Sequence, residues 1–415
     1  MSRITSEKQI EVEGRIKKNR SSYMYFRKLN NEEEYNVMKK ILGILISTVL
    51  LTTLIVSTIF PEAPSAAQNN SKVRLALVGG WHVHTSMFIE KIAKLSAGKV
   101  EWVAVYDHDA ERGKKFADML GVPYEADYQK ILDNENIDAV MIEAETSLHK
   151  DLIIRAANAK KHVFTDKVLT PTVKDGLSVK KAIEENGVKL VVSHESLPIG
   201  SYQYAKKLVD DGSLGDIVAI NFRRAHGMAK TDRLPESWYD KEVAGGGALI
   251  DLGVHGMSML TYLAGTPTKV SSFMENWTNR EVEDSATIML EFENNAIGTA
   301  HTNMVTSIME NSLEVIGTDG ILVVLGVEGK ESVYLNSKHV SGMEAGMNLI
   351  DPSVYGSDGT VPINLFIDFV LDESNKDQYL PGYDIDTALT VVGIAEAAYK
   401  SAKIGGSAVK FKKSW

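Results

Sequence analysis

The chain of 415 residues contains no cysteine. Disulfide bonds, thiolate nucleophiles and zinc sites with cysteine ligands are therefore excluded. A surplus of positive charge is also missing, because 45 Lys and Arg residues are outnumbered by 55 Asp and Glu residues, giving a net charge of −10. This balance argues against a nucleic-acid partner. With 44% hydrophobic and 24% charged residues the composition is globular, and the length predicts two domains.

The first 67 residues differ from the rest of the chain. Residues 1–37 mix both charges and hold few core-forming side chains, so we expect them to be disordered, or an upstream segment included in error before a start at Met38. Lys39-Lys40 precede an uncharged apolar run at 41–60, and small residues follow. This pattern predicts a signal peptide at 38–67 and an exported, extracytoplasmic protein. An uncleaved membrane anchor is the alternative.

From residue 71 to 196, short apolar runs alternate with helical patterns. The alternation predicts βαβ units and hence a doubly wound, Rossmann-type parallel sheet, the fold of a dinucleotide-binding domain. The candidate strands are 73–78, 100–106, 139–142, 162–165 and 188–192.

The alternation of strands and helices ends in residues 197–415, where several candidate strands follow one another with short turns such as 293–295 and 318–320. Consecutive strands with short turns are typical of antiparallel pairing. We therefore predict a C-terminal α+β domain with a mostly antiparallel open sheet and a final helix over 387–400.

A run of glycines, Gly245-Gly246-Gly247, precedes Asp251 and His255 in an apolar segment. On a continuous helix, residues four apart lie on one face, so the carboxylate could orient the imidazole as a general acid–base pair. The glycines would let a ligand or another chain segment approach the backbone closely. An ordinary surface ion pair is the alternative.

The segment after the first candidate strand is where a dinucleotide would bind, because glycines there let the pyrophosphate reach a helix N-terminus. Of the pattern G-x-G-x-x-G only Gly79 is present, and Trp81 and His84 stand at the other two glycine positions. Asp107 ends the second strand at the place of a ribose-binding acid, which favours NAD over NADP. The alternative for Asp107 is a helix cap.

Five motifs occur in an order and spacing that resemble the Gfo/Idh/MocA family of oxidoreductases across nearly all of the chain after residue 71. They are Ile137-Asp138-Ala139-Val140, Ser147-Leu148-His149, and the segments 161–167, 245–255 and 313–320. The resemblance implies hydride transfer between a sugar or polyol carbon and NAD or NADP. It also implies a homo-oligomer formed through the second sheet.

The family's Glu-Lys-Pro motif appears here as Asp166-Lys167-Val168. The resemblance implies that Lys167 contacts both the nicotinamide ribose and the substrate hydroxyl, and that Asp251 and His255 form the acid–base pair, with His255 accepting the proton. The catalytic residues implied are thus Lys167, Asp251 and His255, and no metal ligand is among them. The implied cofactor-binding residues are Gly79, Gly80, His82, Val83, Asp107 and Lys167.

Departures from the family pattern raise a different hypothesis. Glu143-Ala144-Glu145-Thr146 replaces the usual Ala-Thr-Pro-Asn and would set carboxylates against a dianionic pyrophosphate. Histidines and carboxylates together suit a divalent metal such as zinc, manganese or iron. Such a site would support lyase or hydrolase chemistry on carbohydrate without ordinary dinucleotide binding. Its candidate ligands are His82, His84, Glu143, Glu145 and His149, and the alternative is that these are polar loop residues around a slightly shifted cofactor.

Overall fold

The computed structural model describes residues 72–307, 311–327, 329–356, 361–372, 381–413 and 415. The upstream segment 1–37 and the signal peptide 38–67 predicted from the sequence lie outside these residues. Within the described ranges no single helix has the length and hydropathy to cross a bilayer, and the helical segments 241–251 and 253–264 meet that test only together, bent by 53°.

The first sheet has six strands in the order β3-β2-β1-β4-β5-β6, all parallel. All four residues of β4 are buried, which is expected where helices cover both faces of a parallel sheet. The predicted doubly wound sheet is therefore confirmed. Its strands are β1 Val73–Val78, β2 Val100–Tyr106, β3 Tyr124–Glu125, β4 Ala139–Ile142, β5 His162–Thr165 and β6 Leu190–Val192.

The helices of this half begin and end at residues whose chemistry favours helix termini. Asp109 accepts hydrogen bonds from the first turn of α2, and Gly121 ends that helix in a left-handed conformation. Thr172 and Gly187 do the same for α5. These helices are α1 Thr85–Leu95, α2 Ala110–Leu120, α3 Tyr128–Asp133, α4 His149–Asn158 and α5 Val173–Asn186.

The second sheet has nine strands in the order β14-β13-β12-β11-β7-β10-β9-β8-β15. Every neighbouring pair is antiparallel except β7 and β10, so the predicted mostly antiparallel sheet is confirmed. Its strands are β7 Ile217–Ala225, β8 Pro267–Glu275, β9 Ser285–Phe292, β10 Ile297–Asn303, β11 Asn311–Gly317, β12 Gly320–Gly326, β13 Ser332–Ser337, β14 Asn348–Leu349 and β15 Val409–Lys410.

Helices of the second half cover this sheet and also reach the first one. Gly256 lets α9 pack closely on β10, because a Cβ there would lie 2.6 Å from the Ala300 Cβ. In α10, the Asn364 side chain donates to Ser96 Oγ at 2.6 Å, which ties this helix to the end of α1. The helices are α6 Gly200–Asp210, α7 Lys241–Ala244, α8 Ala248–Asp251, α9 Gly253–Ala264, α10 Pro362–Leu371 and α11 Ile385–Lys403.

Candidate active site

A buried ion pair joins the two halves of the molecule where β5 ends. Lys167 follows this strand, is only 4% exposed, and donates from Nζ to Asp251 Oδ1 at 2.8 Å. Burial opposes its charge, but the carboxylates of Asp251 and Asp166 raise the pKa of Lys167. Burial likewise opposes charge on Asp251, yet Lys167 lowers the pKa of that carboxyl. Lys167 is therefore an ammonium held in place by a carboxylate.

The spacing of Asp251 and His255 predicted that they share one face of a straight helix, but the structure shows that they do not. The helix breaks at Leu252 between α8 and α9, and the chain bends there by 53°. Asp251 bonds Lys167, while His255 Nδ1 lies 3.1 Å from Ser196 Oγ. Burial, with Arg224 and Lys167 nearby, lowers the pKa of His255 well below its usual value, so the imidazole is neutral.

The glycine run makes room for protein atoms. A Cβ on Gly247 would lie 1.9 Å from the carbonyl oxygen of Glu283, which accepts a hydrogen bond from the Ala248 amide at 2.8 Å. A Cβ on Gly246 would lie 2.1 Å from the Tyr399 hydroxyl. Close approach of another chain segment is therefore found, and Gly246 and Gly247 also line the pocket described below.

The Glu283 carboxylate holds the start of α8. Its Oε1 accepts hydrogen bonds from the amides of Gly247 at 3.1 Å and Leu249 at 3.0 Å, and from the Tyr399 hydroxyl at 2.8 Å. Because α8 carries Asp251, Glu283 fixes the position of the carboxylate that pairs with Lys167.

Replacing Glu283 with alanine should lower the free energy of unfolding by about 2–4 kcal/mol, because two amides and a hydroxyl lose their acceptor. Chemical denaturation measures this. The matched control is Glu281→Ala, at an exposed position two residues away, which should change stability by less than about 0.5 kcal/mol. Equal effects of the two substitutions would contradict the role given to Glu283.

A pocket with about 480 Å³ of empty volume, partly open to solvent, lies beside the ion pair. Lys167 and Asp251 line it, together with the aromatic rings of Trp81, Trp238 and Tyr239, whereas His255 is not among its lining residues in the described part of the chain. The rings of Trp81 and Trp238 stack with centroids 4.6 Å apart, and Trp81 Nε1 donates to Ser237 Oγ. The Trp81 indole, at the second glycine position of the pattern G-x-G-x-x-G, therefore forms part of the pocket wall.

The predicted cofactor loop lies between β1 and α1. Gly79 has φ of +79°, and a Cβ there would lie 2.7 Å from Ala144 Cα, so this position requires glycine. A Cβ on Gly80 would collide with the Phe116 ring, and Val83 is 42% exposed. The amides of Trp81 and His82 donate to the carbonyl oxygen of Glu143. The loop is thus fastened to the end of β4.

Asp107 lies at the end of β2, where the ribose-binding acid was predicted, but its oxygens already have partners. Arg112 donates to both of them at 2.6 and 2.7 Å, and the Asp109 amide donates to Oδ1. The helix cap proposed as its alternative role belongs to Asp109. An acid already bonded to Arg112 gives no support for a preference between NAD and NADP.

Two of the residues suggested as metal ligands have other partners. Glu145 Oε1 accepts from Arg112 at 3.1 Å. The ring of His149 lies between carbonyl oxygens, with Nδ1 3.0 Å from Val168 O and Nε2 3.1 Å from Ala144 O. His149 therefore connects two loops of the sheet edge, and neither Glu145 nor His149 belongs to the group in which His82 and His84 meet.

His82 and His84 meet Asp166 at this edge, to form what we call the histidine cluster together with Glu195. His82 Nδ1 and His84 Nδ1 lie 2.8 and 2.9 Å from Asp166 Oδ2, and His84 Nδ1 lies 2.5 Å from Glu195 Oε1. Asp166 and Glu195 were not predicted as partners, although each comes just after a strand of the same sheet, which was a usable signal.

Electrostatics differ sharply between the two imidazoles. Burial lowers the pKa of His82 to about 4, whereas Glu195 and Asp166 overcome burial and raise the pKa of His84 to about 9. Glu143 is fully buried beside them, and burial and the charges of Asp166 and Glu195 raise its pKa well above the usual value. The sheet edge therefore gathers several acidic side chains around a charged His84, and burial favours the neutral form of Glu143.

The contacts at this sheet edge bear on whether a dinucleotide fits there. In the pose that glycine-rich loops use, the pyrophosphate lies against the loop between β1 and α1. Here the His82 and His84 side chains lie on Asp166, and the buried carboxylates of Asp166 and Glu195 would repel a dianion. The side chains present do not fit a dinucleotide in that pose.

Family models match both halves of the chain. A model described as an oxidoreductase family with an NAD-binding Rossmann fold matches residues 73–194, and one described as a GFO/IDH/MocA C-terminal domain matches residues 202–323. Together they cover more than half of the chain.

Among curated relatives, levoglucosan dehydrogenase of Pseudarthrobacter phenanthrenivorans is 24% identical over 48% of this chain and 58% of its own length. The scyllo-inositol 2-dehydrogenase (NAD(+)) of Bacillus subtilis is 28% identical over 57% of this chain and 69% of its own length. The aligned part of the first relative is thus less than two thirds of that protein.

Among solved structures, levoglucosan dehydrogenase in complex with NADH and levoglucosan superposes with a TM-score of 0.73 at 21% identity, covering 82% of this chain and 100% of the other. The aldose-aldose oxidoreductase from Caulobacter crescentus complexed with glycerol gives a TM-score of 0.70 at 20% identity, with 82% and 100% coverage. These similarities support the fold described above, a parallel sheet followed by a mostly antiparallel sheet.

Proposed function

Because the chain belongs to the Gfo/Idh/MocA family of NAD(P)-dependent oxidoreductases, we propose that it acts on the CH–OH group of a sugar, polyol or related carbohydrate. The observation that carries this proposal is the buried Lys167–Asp251 ion pair at the wall of an aromatic pocket. Aromatic walls with a few fixed polar groups are typical of small-molecule sites. Relatives named for levoglucosan and inositol support a carbohydrate substrate.

In the proposed reaction, the Lys167 ammonium binds the substrate hydroxyl and stabilises the oxyanion that forms as its proton leaves. Asp251 keeps Lys167 charged and oriented through the 2.8 Å hydrogen bond. His255 is the proposed proton acceptor, because its imidazole is neutral and therefore able to take a proton. NAD(P) is the oxidant that family membership implies, although the loop between β1 and α1 does not fit its usual pose.

The test uses the full chain with NAD and NADP against anhydrosugars, inositols and aldoses, followed by the absorbance of reduced nicotinamide. We expect reduction with at least one substrate and a rise in melting temperature with the preferred dinucleotide. No reduction, no melting shift and no nicotinamide released on denaturation would together contradict the proposal.

For the proton acceptor, His255→Asn should lower kcat by about 100-fold or more, the usual range for loss of a general base. The control His339→Asn changes a histidine that is about half exposed and bonded to Asp319, and it should leave kcat unchanged. A His255 variant that is folded and has the parental kcat would remove His255 from the mechanism.

A second candidate function is metal-dependent lyase or hydrolase chemistry on carbohydrate. The observation that favours it is the histidine cluster, which stands at the edge where a pyrophosphate would otherwise bind. The two candidates differ in their readout. The oxidoreductase changes nicotinamide absorbance, whereas the alternative releases product with no such change and stops when the metal is chelated.

A further inference from the structure

We propose that His82, His84, Asp166 and Glu195 form a binding site for one divalent first-row transition metal ion. The site goes beyond the proposed oxidoreductase function and does not depend on it. It is built from three separate stretches of chain, the loop after β1 and the residues just after β5 and β6, all at the carboxyl edge of the first sheet.

The ligand atoms of His82, His84 and Asp166 all lie within 4.8 Å of one another. Neighbouring pairs are 2.5 to 2.9 Å apart, the spacing of hydrogen-bonded atoms. Around a tetrahedral metal with bonds of about 2.0–2.1 Å, ligand atoms stand about 3.3 Å apart. The cluster therefore needs to open by less than about 1 Å to hold the ion.

The cluster has fewer hydrogens than its close contacts require. His84 Nδ1 can carry one hydrogen, yet it lies 2.9 Å from Asp166 Oδ2 and 2.5 Å from Glu195 Oε1. Asp166 Oδ2 in turn lies against two imidazole nitrogens. One cation among His82, His84 and Asp166 would contact these three side chains at once, with Glu195 beside His84. A single shared hydrogen satisfies fewer of these contacts.

A further, independent observation concerns Glu143. Its side chain is completely buried, and its Oε1 has no hydrogen-bond partner among the described residues. It lies near enough to Asp166 and Glu195 to interact electrostatically with both carboxylates. A buried carboxyl group with an unpartnered oxygen is costly, and a divalent ion in the cluster would offset the repulsion among these three acidic groups.

The donor set indicates which metals fit. Two imidazole nitrogens with carboxylate oxygens suit zinc, manganese or iron, whereas calcium and magnesium prefer oxygen alone. His82 also lines the pocket, and its Nε2 lies 3.3 Å from Lys167 Nζ. The ion would therefore lie one side chain away from the Lys167–Asp251 pair.

The test measures binding of the metal alone to the full chain. Protein treated with a chelator and dialysed is titrated with zinc, manganese or ferrous ions by calorimetry, and the protein as purified is analysed for metal by mass spectrometry. We expect about one ion per chain, and a cobalt-substituted sample with the visible spectrum of nitrogen and oxygen ligation.

Two variants, His84→Gln and Asp166→Asn, should weaken the affinity by about 100-fold or more. The control His108→Gln changes a half-exposed histidine at the same sheet edge, outside the cluster, and should bind as the parent does. Both variants keep a polar side chain of similar size, so we expect them to fold. Their melting temperatures without metal check this. Absence of binding in the parent, or equal binding in both folded variants, would overturn the site. Neither result depends on dehydrogenase activity.

Discussion

Replacement of Lys167 by methionine is expected to lower kcat by about a thousandfold, the loss typical of removing a charged group that stabilises a developing oxyanion. Methionine has a similar length and no charge, so it keeps the packing and removes the ammonium. Lys167 is 4% exposed, so water replaces that charge poorly. Initial rates with the best substrate of the panel measure the effect.

The same substitution leaves Asp251 without its cation, and breaking a buried pair costs about 3–5 kcal/mol of stability. The double variant Lys167→Met, Asp251→Asn should recover much of that stability without recovering turnover, which separates folding from chemistry. The control Lys150→Met removes a lysine that pairs with Asp175 and is 45% exposed, and it should leave kcat unchanged. A folded Lys167 variant with kcat within tenfold of the parent would contradict the role proposed for Lys167.

Much of the fold could be predicted from the sequence because buried parallel strands are continuous apolar runs. Residues 73–78, 100–106 and 139–142 were bounded correctly for this reason. The strand β3, Tyr124–Glu125, was missed because two half-buried residues are too few to form a pattern. The helix α10 was also missed, and its role in covering the first sheet depends on contacts with residues about 270 positions away.

The sequence predicted those site residues that could be chosen individually, without knowledge of their contacts. Lys167 and Asp251 were both chosen from the sequence, and the structure brings them into contact. The pairing of Asp251 with His255 was an inference from helical spacing, and the break at Leu252 separates their partners. The periodicity of a sequence segment does not reveal such a break. The contacts on either side of it come from Lys167 and Ser196, which are distant in the sequence.

The partners of the histidines could not be obtained from spacing alone. Glu145 was a reasonable candidate ligand, but Arg112, 33 residues earlier in the chain, binds it instead. Asp166 reaches His82 and His84 because β1, β4 and β5 are neighbours in the sheet. Strand order is a property of the whole fold, so it determines which side chains meet at the sheet edge.

Gly247→Ala is the substitution expected to disturb both stability and turnover. The new Cβ would lie 1.9 Å from the Glu283 carbonyl oxygen, a backbone atom that cannot rotate away. We expect the free energy of unfolding to fall by about 3 kcal/mol, the upper range for overpacking. We also expect kcat to fall by about 100-fold, because α8 must shift and Asp251 moves with it relative to Lys167.

The control for Gly247 is Gly98→Ala. Gly98 has φ of +85°, and no atom lies within 4 Å of the position that an alanine methyl group would take, so alanine there experiences backbone strain without a collision. Its cost should be about 1–2 kcal/mol with no change in kcat. If Gly247→Ala has the same modest cost and full activity, then contact with the Glu283 backbone does not position Asp251. A larger effect at Gly247 on both stability and kcat would show that the glycine run is needed to align Asp251 with Lys167.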